Sequence, residues 1–252
     1  MIRDSVLLTR VGGNNNRFAR DLANISLELL HRPVLKIEPL VPGPARLEVV
    51  QNLDLYDHII FISTNSVIHG LDHLIDRWPQ WPAKLKWYAV GDSTAGKLRA
   101  SGIEPVVPEH YSSEGLLALP EFEAIENQRV LIVRGLGGRE TLKHGLLKRG
   151  GLVDYLEVYE RHENDWSGEI VSPAEVEKLF ASIVYSAESL LIFNQQISDD
   201  VRRVPLLVPS DRIAEIARDL GYTSVLAVQP KDDVIVELLA QLRNNKEAGP
   251  GT

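Results

Sequence analysis

The stretch LIVRGLGGRETL, residues 131–142, sets the fold prediction because it joins a strand to a helix through a glycine-rich turn. Glycines allow a tight turn with exposed amides, and a helix begins with four unpaired N–H groups. Arg134 and Arg139 stand beside those amides, so the turn predicts a site for a carboxylate or a phosphate. The glycines of the turn are Gly135, Gly137 and Gly138.

The same strand–turn–helix order recurs along the chain and is typical of an α/β protein with parallel sheets. Helices are predicted over residues 17–30, with one apolar face, and 213–220, where Gly221 stops the helix. The apolar runs predict strands at 6–9, 34–37, 58–63, 87–91, 105–107, 129–133, 153–160, 182–186, 206–209 and 224–228.

Two parts of the chain resemble each other. TAGKLRASGIEPVVP (94–108) aligns with IAEIARDLGYTSVLA (213–227) at an offset of 119 residues. FISTNSV (61–67) resembles VYSAESL (184–190), each with a strand that ends in a serine at a helix start. Any two α/β segments look somewhat alike, but a register shared by helix, glycine and strand favours a duplication. The offset of 119 also aligns Ser113-Glu114 with Asp232-Asp233.

Two segments are interpreted as connectors. EPLVPGPAR (38–46) has three prolines and a glycine, which disfavour a helix, and VDYLEVYERHEND (153–165) reads as a strand that becomes polar. Their separation suggests one domain inserted into another. The prediction is a discontinuous α/β domain (1–37 and 166–245), an inserted α/β domain (47–153), connectors (38–46 and 154–165) and a disordered tail (246–252).

Composition limits the classes of function. The formal charge of −8 over 252 residues disfavours a nucleic-acid or anionic-membrane partner, because those need a basic face. Zero cysteines exclude disulfides and thiolate catalysis. No apolar run approaches the roughly 20 residues that span a bilayer. We therefore expect a cytoplasmic protein with a small-molecule ligand.

Other motifs indicate alternative chemistry more weakly. The glycine turn departs from the dinucleotide fingerprint because Glu140 stands at its third glycine. GDSTA (91–95) lies where a nucleophile elbow would, but Ala95 replaces the last glycine. A Ser93 hydrolase therefore stays a minor alternative, and capping of the helix by Ser93 or Thr94 is favoured.

His69 and His73 have the i, i+4 spacing of zinc ligands on a helix. Gly70 stands where the motif has glutamate, so a solvated helix face is the favoured interpretation. We therefore predict no metal site. Thr9 and Arg10, at the end of the first predicted strand, point to the sheet edge where open α/β proteins bind ligands. For Tyr159, cross-strand packing and a functional role are both left open at this point.

Taken in order, these motifs resemble the uroporphyrinogen-III synthase family across about 230 residues. FISTNSV matches a strand–Ser–x–Asn–Val turn, AVGDSTAGKLRASG a Val-Gly-x-x-Thr-Ala helix start, and DYLEVYER ends in a Val-Tyr-x-Arg match. In the last third, SAESL and VPSDRIAEIARDLGY look like a mirror half, although the second departs from the Gly-x-x-Thr-Ala form, with Ser210 and Arg212 standing there.

The resemblance implies two Rossmann- or flavodoxin-like domains joined by a two-stranded connector, with the active site in the cleft between them. It also implies the reaction: hydroxymethylbilane is dehydrated and closed to uroporphyrinogen III with inversion of ring D, without a cofactor. The substrate carries eight carboxylates, which several helix N-termini would bind together. A cleft within one chain needs no second subunit, so a monomer is expected.

Tyr159 matches the family's tyrosine and is the expected proton donor, or hydrogen-bond donor, to the leaving hydroxyl. Orientation of the bilane is expected to supply much of the catalysis, and single side-chain changes to cost little if amides hold the carboxylates. The competing hypothesis is a two-lobed cytoplasmic sensor that binds an anion without chemistry. The expected substrate-binding residues are Thr9, Arg10, Ser63, Asn65, Ser93, Thr94, Arg134, Gly135, Arg139, Ser186 and Ser210.

Overall fold

The computed structural model describes residues 4–12, 15–41, 43–166, 168 and 170–247. The strands are β1 (Asp4–Leu8), β2 (Leu27–His31), β3 (Leu35–Pro39), β4 (His58–Phe61), β5 (Lys86–Ala89), β6 (Arg129–Gly135), β7 (Leu152–Glu163), β8 (Leu179–Ile183), β9 (Leu206–Val208) and β10 (Val225–Ala227). The helices are α1 (Asn16–Asn24), α2 (Pro44–Gln51), α3 (Thr64–Ile75), α4 (Asp92–Arg99), α5 (Ser113–Leu117), α6 (Thr141–Lys148), α7 (Pro173–Val176), α8 (Ala187–Gln195), α9 (Asp199–Arg202), α10 (Asp211–Asp219) and α11 (Asp232–Glu247).

These elements pack into two compact units. Unit 1 comprises the described parts of Met1–Lys36 and His162–Thr252, and unit 2 comprises those of Ile37–Arg161. One five-stranded sheet has the order β10-β9-β8-β1-β2, and the other has the order β3-β7-β6-β4-β5. Parallel pairing confirms the predicted α/β class with parallel sheets. It joins β1–β2, β1–β8, β4–β5, β4–β6, β6–β7, β8–β9 and β9–β10.

Each sheet is apolar on both faces, as parallel sheets covered by helices are. In β1, Leu7 belongs to one core cluster, whereas Val6 and Leu8 belong to another. In β6, Leu131 and Ile132 likewise lie in different clusters. Side chains along a strand alternate between its two faces, so every central strand contributes to two cores.

The two units repeat the same four-strand arrangement, β9-β8-β1-β2 in unit 1 and β5-β4-β6-β7 in unit 2. Paired residues of the two units differ by a constant number of positions in each pair of equivalent strands. Residues of β6 and β7 have numbers 124 higher than their equivalents in β1 and β2. Residues of β8 have numbers 123 higher than those of β4, and residues of β9 have numbers 119 higher than those of β5. The aligned pairs are Val6–Leu29 with Val130–Val153, Val6–Ala181 with Val130–His58, and Ser182–Leu206 with Ile59–Trp87.

Two pairs of equivalent helices begin at residues that also differ by 119 positions. Asp92, the first residue of α4, and Asp211, the first residue of α10, differ by 119, as do the first residues of α5 and α11. Gly102 and Gly221, which follow α4 and α10, both have positive φ, 78° and 92°. The registers therefore support the duplication predicted from the sequence. In unit 1 the β1–α1–β2 part comes from the start of the chain, whereas in unit 2 the equivalent part comes last.

The prediction of one helix over residues 17–30 was wrong. Helix α1 ends at Asn24, Ser26 has φ of 56°, and Leu27–His31 forms β2. A residue in the left-handed region ends a helix. The leucines that follow are spaced so that they fit a helical face or a strand, and their pairing with β1 decides between the two.

Three smaller expectations were also wrong. The segment 38–46 is not an extended link throughout, because Pro44 starts α2, and proline is tolerated in a first helical turn. The strand expected at 105–107 is reduced to one bridge between Tyr88 and Val106. Of the expected tail, Lys246 and Glu247 are part of α11, and residues 248–252 lie outside the described residues.

Candidate active site

A pocket of about 460 Å³ in unit 2 lies where four strands of one sheet end or approach their ends. Ile62 follows β4, Val90 follows β5, and Arg134 and Gly135 end β6. Open α/β sheets bind their ligands at this carboxyl edge. The rest of the lining consists of Tyr111, Ser112, Ser113, Gly137, Gly138, Arg139, Tyr159 and Arg161.

The pocket is positively charged although the chain is acidic. Three of its described lining residues, Arg134, Arg139 and Arg161, are arginines, and none of those lining residues is acidic. Three cations around one cavity attract carboxylates and phosphates, and more strongly than exposed cations do in bulk water. The pocket therefore suits an anionic ligand.

Arg134 is buried, with 3% of its side chain exposed, yet its donors are only partly used. Its Nε donates to the Gly135 carbonyl at 3.1 Å, and its Nη1 donates to Glu140 Oε1 at 2.9 Å. Within the described part of the chain, Nη2 makes no hydrogen bond. A Cβ at Gly138 would stand 3.0 Å from Nη2, and Gly138 has φ of 94°. Glycine at this position therefore leaves space beside an unused donor.

Glu140 and Tyr155 hold the Arg134 side chain. Tyr155 Oη donates to Glu140 Oε2 at 2.7 Å, and its ring centroid lies 4.5 Å from the Arg134 guanidinium carbon. Donation from Tyr155, and then from Arg134, lowers the pKa of Glu140. Burial and the bond to Glu140 raise the pKa of Tyr155 to about 12. Glu140 is therefore an ionised acceptor that orients Arg134 near neutral pH.

Tyr159 of β7 lies next to the first turn of α3. The Tyr159 and Ser63 hydroxyl oxygens are 3.1 Å apart, and Ser63 Oγ accepts from Ser66 N at 3.0 Å as the cap of α3. Tyr159 is buried and lines the pocket. Its ring packs on Gly135, where a Cβ would stand 2.4 Å from Tyr159 Cε2. The glycine turn that was predicted to bind an anion therefore also packs against the Tyr159 ring.

The other predicted residues of unit 2 lie outside the pocket lining. Asn65 is in the first turn of α3, Ser93 is exposed in the first turn of α4, and Thr94 is buried beside it. Neither Ser93 nor Thr94 caps α4 through its side chain, because the cap is Gly91. In the described structure Ser93 has no hydrogen bond to a histidine, so no observation supports the hydrolase alternative.

The four predicted residues of unit 1 are already engaged there or lie at helix starts. Thr9 Oγ1 donates to the Ile183 carbonyl at 2.8 Å, and Arg10 is paired with Asp232 at 2.7 Å. Ser186 caps α8, accepting from Ser189 N at 3.0 Å as Ser63 does in unit 2. Ser210 is the cap residue of α10 but makes no side-chain cap bond.

Sequence reasoning missed part of the pocket. Tyr111 and Ser112, before α5, line it, and Ser112 Oγ accepts from Gly115 N at 3.0 Å. Arg161 lines it two residues after Tyr159 on the same strand. Residues i and i+2 of a strand share a face, so the strand pattern could have identified Arg161. The loop before α5 carries no comparable signal.

The histidines predicted to be a solvated pair do not lie together in a ligand site. The His69 ring lies near the Tyr159 ring in a tilted arrangement, with centroids 5.9 Å apart, and burial lowers the pKa of His69. His73 lines a separate depression of about 260 Å³ beside α2. Among the described residues, neither histidine belongs to a cluster of three potential metal ligands. No described helix is both long enough and apolar enough to cross a bilayer.

The family model described as uroporphyrinogen-III synthase HemD (HEM4) matches residues 16–237. A uroporphyrinogen-III synthase of Proteus mirabilis is 32% identical over 171 residues, covering 66% of this chain and 84% of that protein. One of Escherichia coli K12 is 28% identical over 237 residues, covering 91% and 96%.

Solved structures agree in fold. A mutant uroporphyrinogen III synthase of the extremely thermophilic bacterium Thermus thermophilus aligns with a TM-score of 0.62 and 17% identity, covering 96% of this chain and 99% of that one. A uroporphyrinogen-III synthetase of Helicobacter pylori aligns with a TM-score of 0.57 and 18% identity, covering 96% and 100%. At such identities the likeness concerns the fold alone.

Proposed function

The chain belongs to the uroporphyrinogen-III synthase family, a family of lyases, and we propose that it closes hydroxymethylbilane to uroporphyrinogen III. In this reaction the bilane loses its hydroxyl as water, a carbon–carbon bond closes the macrocycle, and ring D is inverted. The chain's own groups would bind the carboxylates, exclude water and supply a proton to the departing hydroxyl.

The observation that carries the proposal is the arginine-lined pocket beside Tyr159. The bilane carries a carboxylate on each side chain, and Arg134 presents unused N–H donors where Gly138 leaves space. A charge-assisted hydrogen bond contributes about 1.5–3 kcal/mol. Arg134 and Arg139 would therefore bind one acetate or propionate group, together with the backbone amides of the turn at Gly135.

Tyr159 is the proposed proton donor. If Ser63 donates its own proton to Tyr159 Oη, the phenolic proton stays available for the leaving hydroxyl of the substrate. The 3.1 Å separation of the two oxygens and the cap bond from Ser66 N to Ser63 Oγ support this arrangement. Ser63 would then be a positioning residue that fixes the direction of the Tyr159 hydroxyl.

The remaining predicted contacts are secondary parts of the proposal. Asn65, Ser93 and Thr94 would approach the substrate from the first turns of α3 and α4, where backbone amides are unpaired. In unit 1, Ser186 and Ser210 stand at comparable helix starts after β8 and β9, and Thr9 and Arg10 follow β1. Most of their contribution would come from amides, so single substitutions are expected to have small effects.

We also propose that two neighbouring strands connect the units. β3 and β7 are adjacent in one sheet, and the two boundaries of unit 2, at residues 36–37 and 161–162, fall within them. A monomeric, cytoplasmic protein without a nucleic-acid or membrane partner remains the expectation from composition. Family membership disfavours the sensor alternative, which would bind an anion without turnover.

The test is product analysis. Purified protein is incubated with freshly generated hydroxymethylbilane, the products are oxidised, and the ratio of type III to type I uroporphyrin is measured. The bilane closes unaided to the type I isomer, so a heat-denatured sample serves as control. Dominant type III product would support the proposal, and type I alone from folded protein would refute it.

A further inference from the structure

Arg10 in unit 1 has no unused hydrogen-bond donor. Its Nη1 and Nη2 donate to Asp232 Oδ1 and Oδ2 at 2.7 and 3.0 Å, a bidentate pair. Its Nε and Nη2 both donate to Asn15 Oδ1, at 3.0 and 2.8 Å, and Nη1 also reaches Tyr185 Oη at 3.5 Å. The five N–H groups of a guanidinium are thus all engaged.

Arg10 and Arg134 occupy equivalent positions. The offset of 124 that relates β1–β2 to β6–β7 places Arg10 on Arg134, near the carboxyl ends of β1 and β6. Each guanidinium donates to a residue beside the next helix start, Asn15 or Glu140. Each also lies near an aromatic ring, Tyr185 in unit 1 and Tyr155 in unit 2.

The two sites differ in what faces the arginine. The offset of 119 places Asp232, the first residue of α11, on Ser113, the first residue of α5. Ser113 lines the open pocket of unit 2, whereas Asp232 binds Arg10. Asp232 therefore engages both terminal nitrogens of Arg10 in unit 1. In unit 2 the Glu140 carboxylate takes only Nη1 of Arg134, and the serine equivalent to Asp232 leaves Nη2 available.

We propose that Asp232 is an internal carboxylate ligand that closes, in unit 1, the anion site whose counterpart is open in unit 2. The closed site would accept an external carboxylate of the same geometry once Asp232 is removed. Asp232 is then a specificity-determining residue that directs substrate carboxylates to unit 2. This inference rests on the carboxylate-binding role proposed above for the unit 2 pocket.

The physical reason for closure is effective concentration. A carboxylate held on the same folded unit competes as if it were present far above millimolar concentrations, so a free diacid cannot displace it. The pair itself is partly exposed, with 25% and 36% of the two side chains accessible, and such pairs add little net stability. Removing Asp232 should therefore free Arg10 without unfolding unit 1.

The test uses glutarate as a probe and the Nε–H signals of arginine side chains as the readout. Protein labelled with 15N-arginine is titrated with glutarate, as wild type and as Asp232→Ser, the residue found at the equivalent place in unit 2. We expect the Arg10 signal of the variant to move saturably, with an apparent affinity for glutarate at least about tenfold above that of the wild type. Arg10→Lys in the same background identifies the signal and should abolish the response.

Asp233→Ser is the matched control, because it removes the adjacent carboxylate of the same helix turn and should leave Arg10 unresponsive. Asp232→Asn, which keeps the shape of the side chain, replaces the serine variant if that variant fails to fold. A folded variant whose Arg10 does not respond to glutarate would overturn the proposal and make the pair purely structural. The readout needs no turnover, so failure of the synthase assay would leave this result interpretable.

Discussion

Unit 1 and unit 2 share strand order, register and helix starts, but they differ at the positions around two equivalent arginines, Arg10 and Arg134. In unit 2, Gly138 and Ser113 line an open pocket, and Arg134 keeps unused donors. In unit 1, the equivalent of Ser113 is Asp232, which engages Arg10. The comparison teaches that a duplicated sheet can keep its framework while the number of arginine donors taken by an internal carboxylate, two in unit 1 and one in unit 2, decides which copy offers a site.

The largest effect is expected from giving unit 2 the residue of unit 1. Ser113→Asp would supply Arg134 with a second internal carboxylate, in addition to Glu140, and repel those of the substrate. Loss of one charge-assisted contact of about 1.5–3 kcal/mol should lower kcat/KM for the bilane by roughly 10- to 100-fold. The loss of kcat/KM is measured from the rate of type III uroporphyrinogen formation. Ser113→Asn, similar in size but uncharged, should retain most activity, and equal losses in both variants would contradict the electrostatic explanation.

Gly135→Ala tests the packing that distinguishes the two turns. The new Cβ would stand 2.4 Å from the Tyr159 ring, so the tyrosine or the turn must move. We expect a loss of about 1–3 kcal/mol in the free energy of unfolding, measured by urea denaturation with tryptophan fluorescence. Gly96→Ala is the control, since a Cβ there meets nothing within 4 Å and alanine favours a helix. An unchanged unfolding midpoint for Gly135→Ala would show that this packing is not tight.

Ser63→Ala and Ser186→Ala test whether the two halves use the same capping chemistry. Each serine caps its helix at 3.0 Å from the backbone N–H three residues on. Each substitution should cost about 1 kcal/mol of unfolding free energy. Both losses would be detected in denaturation curves recorded by circular dichroism. A loss of stability in only one of the two variants would show that the two serines do not stabilise their helices equally.

His58 should make unit 2 more sensitive to acid than unit 1. It is buried on β4, with its ring nitrogens 3.1 Å from Tyr88 Oη and 2.6 Å from Gln128 Oε1, and burial lowers its pKa. The unfolded chain then binds more protons than the folded chain at acidic pH. The stability contributed by the neutral His58 side chain is therefore fully present above the ordinary histidine pKa and decreases as the pH falls below it. The equivalent residue of unit 1 is Ala181, which cannot titrate.

For one group with an unfolded pKa near 6.5, the expected loss between pH 7 and pH 6 is at most about 0.7 kcal/mol. It is measured by urea unfolding at both pH values, with tryptophan fluorescence as the signal because three of the four tryptophans lie in unit 2. His58→Gln should be less stable at both values but less dependent on pH. If the unfolding free energy of His58→Gln depends on pH as strongly as that of the wild type, the acid sensitivity belongs to another group.

Much of the framework was predictable because local patterns carry it. Buried parallel strands are continuous apolar runs, and nine of the ten strands coincide at least in part with a predicted run. Gly221 ended its helix as predicted, because glycine adopts positive φ without strain. The tenth strand, β2, was missed because its leucines fit two periodicities and only pairing with β1 distinguishes them.

The sequence by itself determined the α/β class, the repeat, the glycine turn with its two arginines, and the family, since these depend on residue types at short or constant spacings. Tertiary structure decided which arginine is available. Arg10 and Asp232 are 222 residues apart, and no local pattern pairs them. Hydrogen bonding acts over distances of about 3 Å, so the folded sheet must first bring the two side chains together before one can close the site of the other.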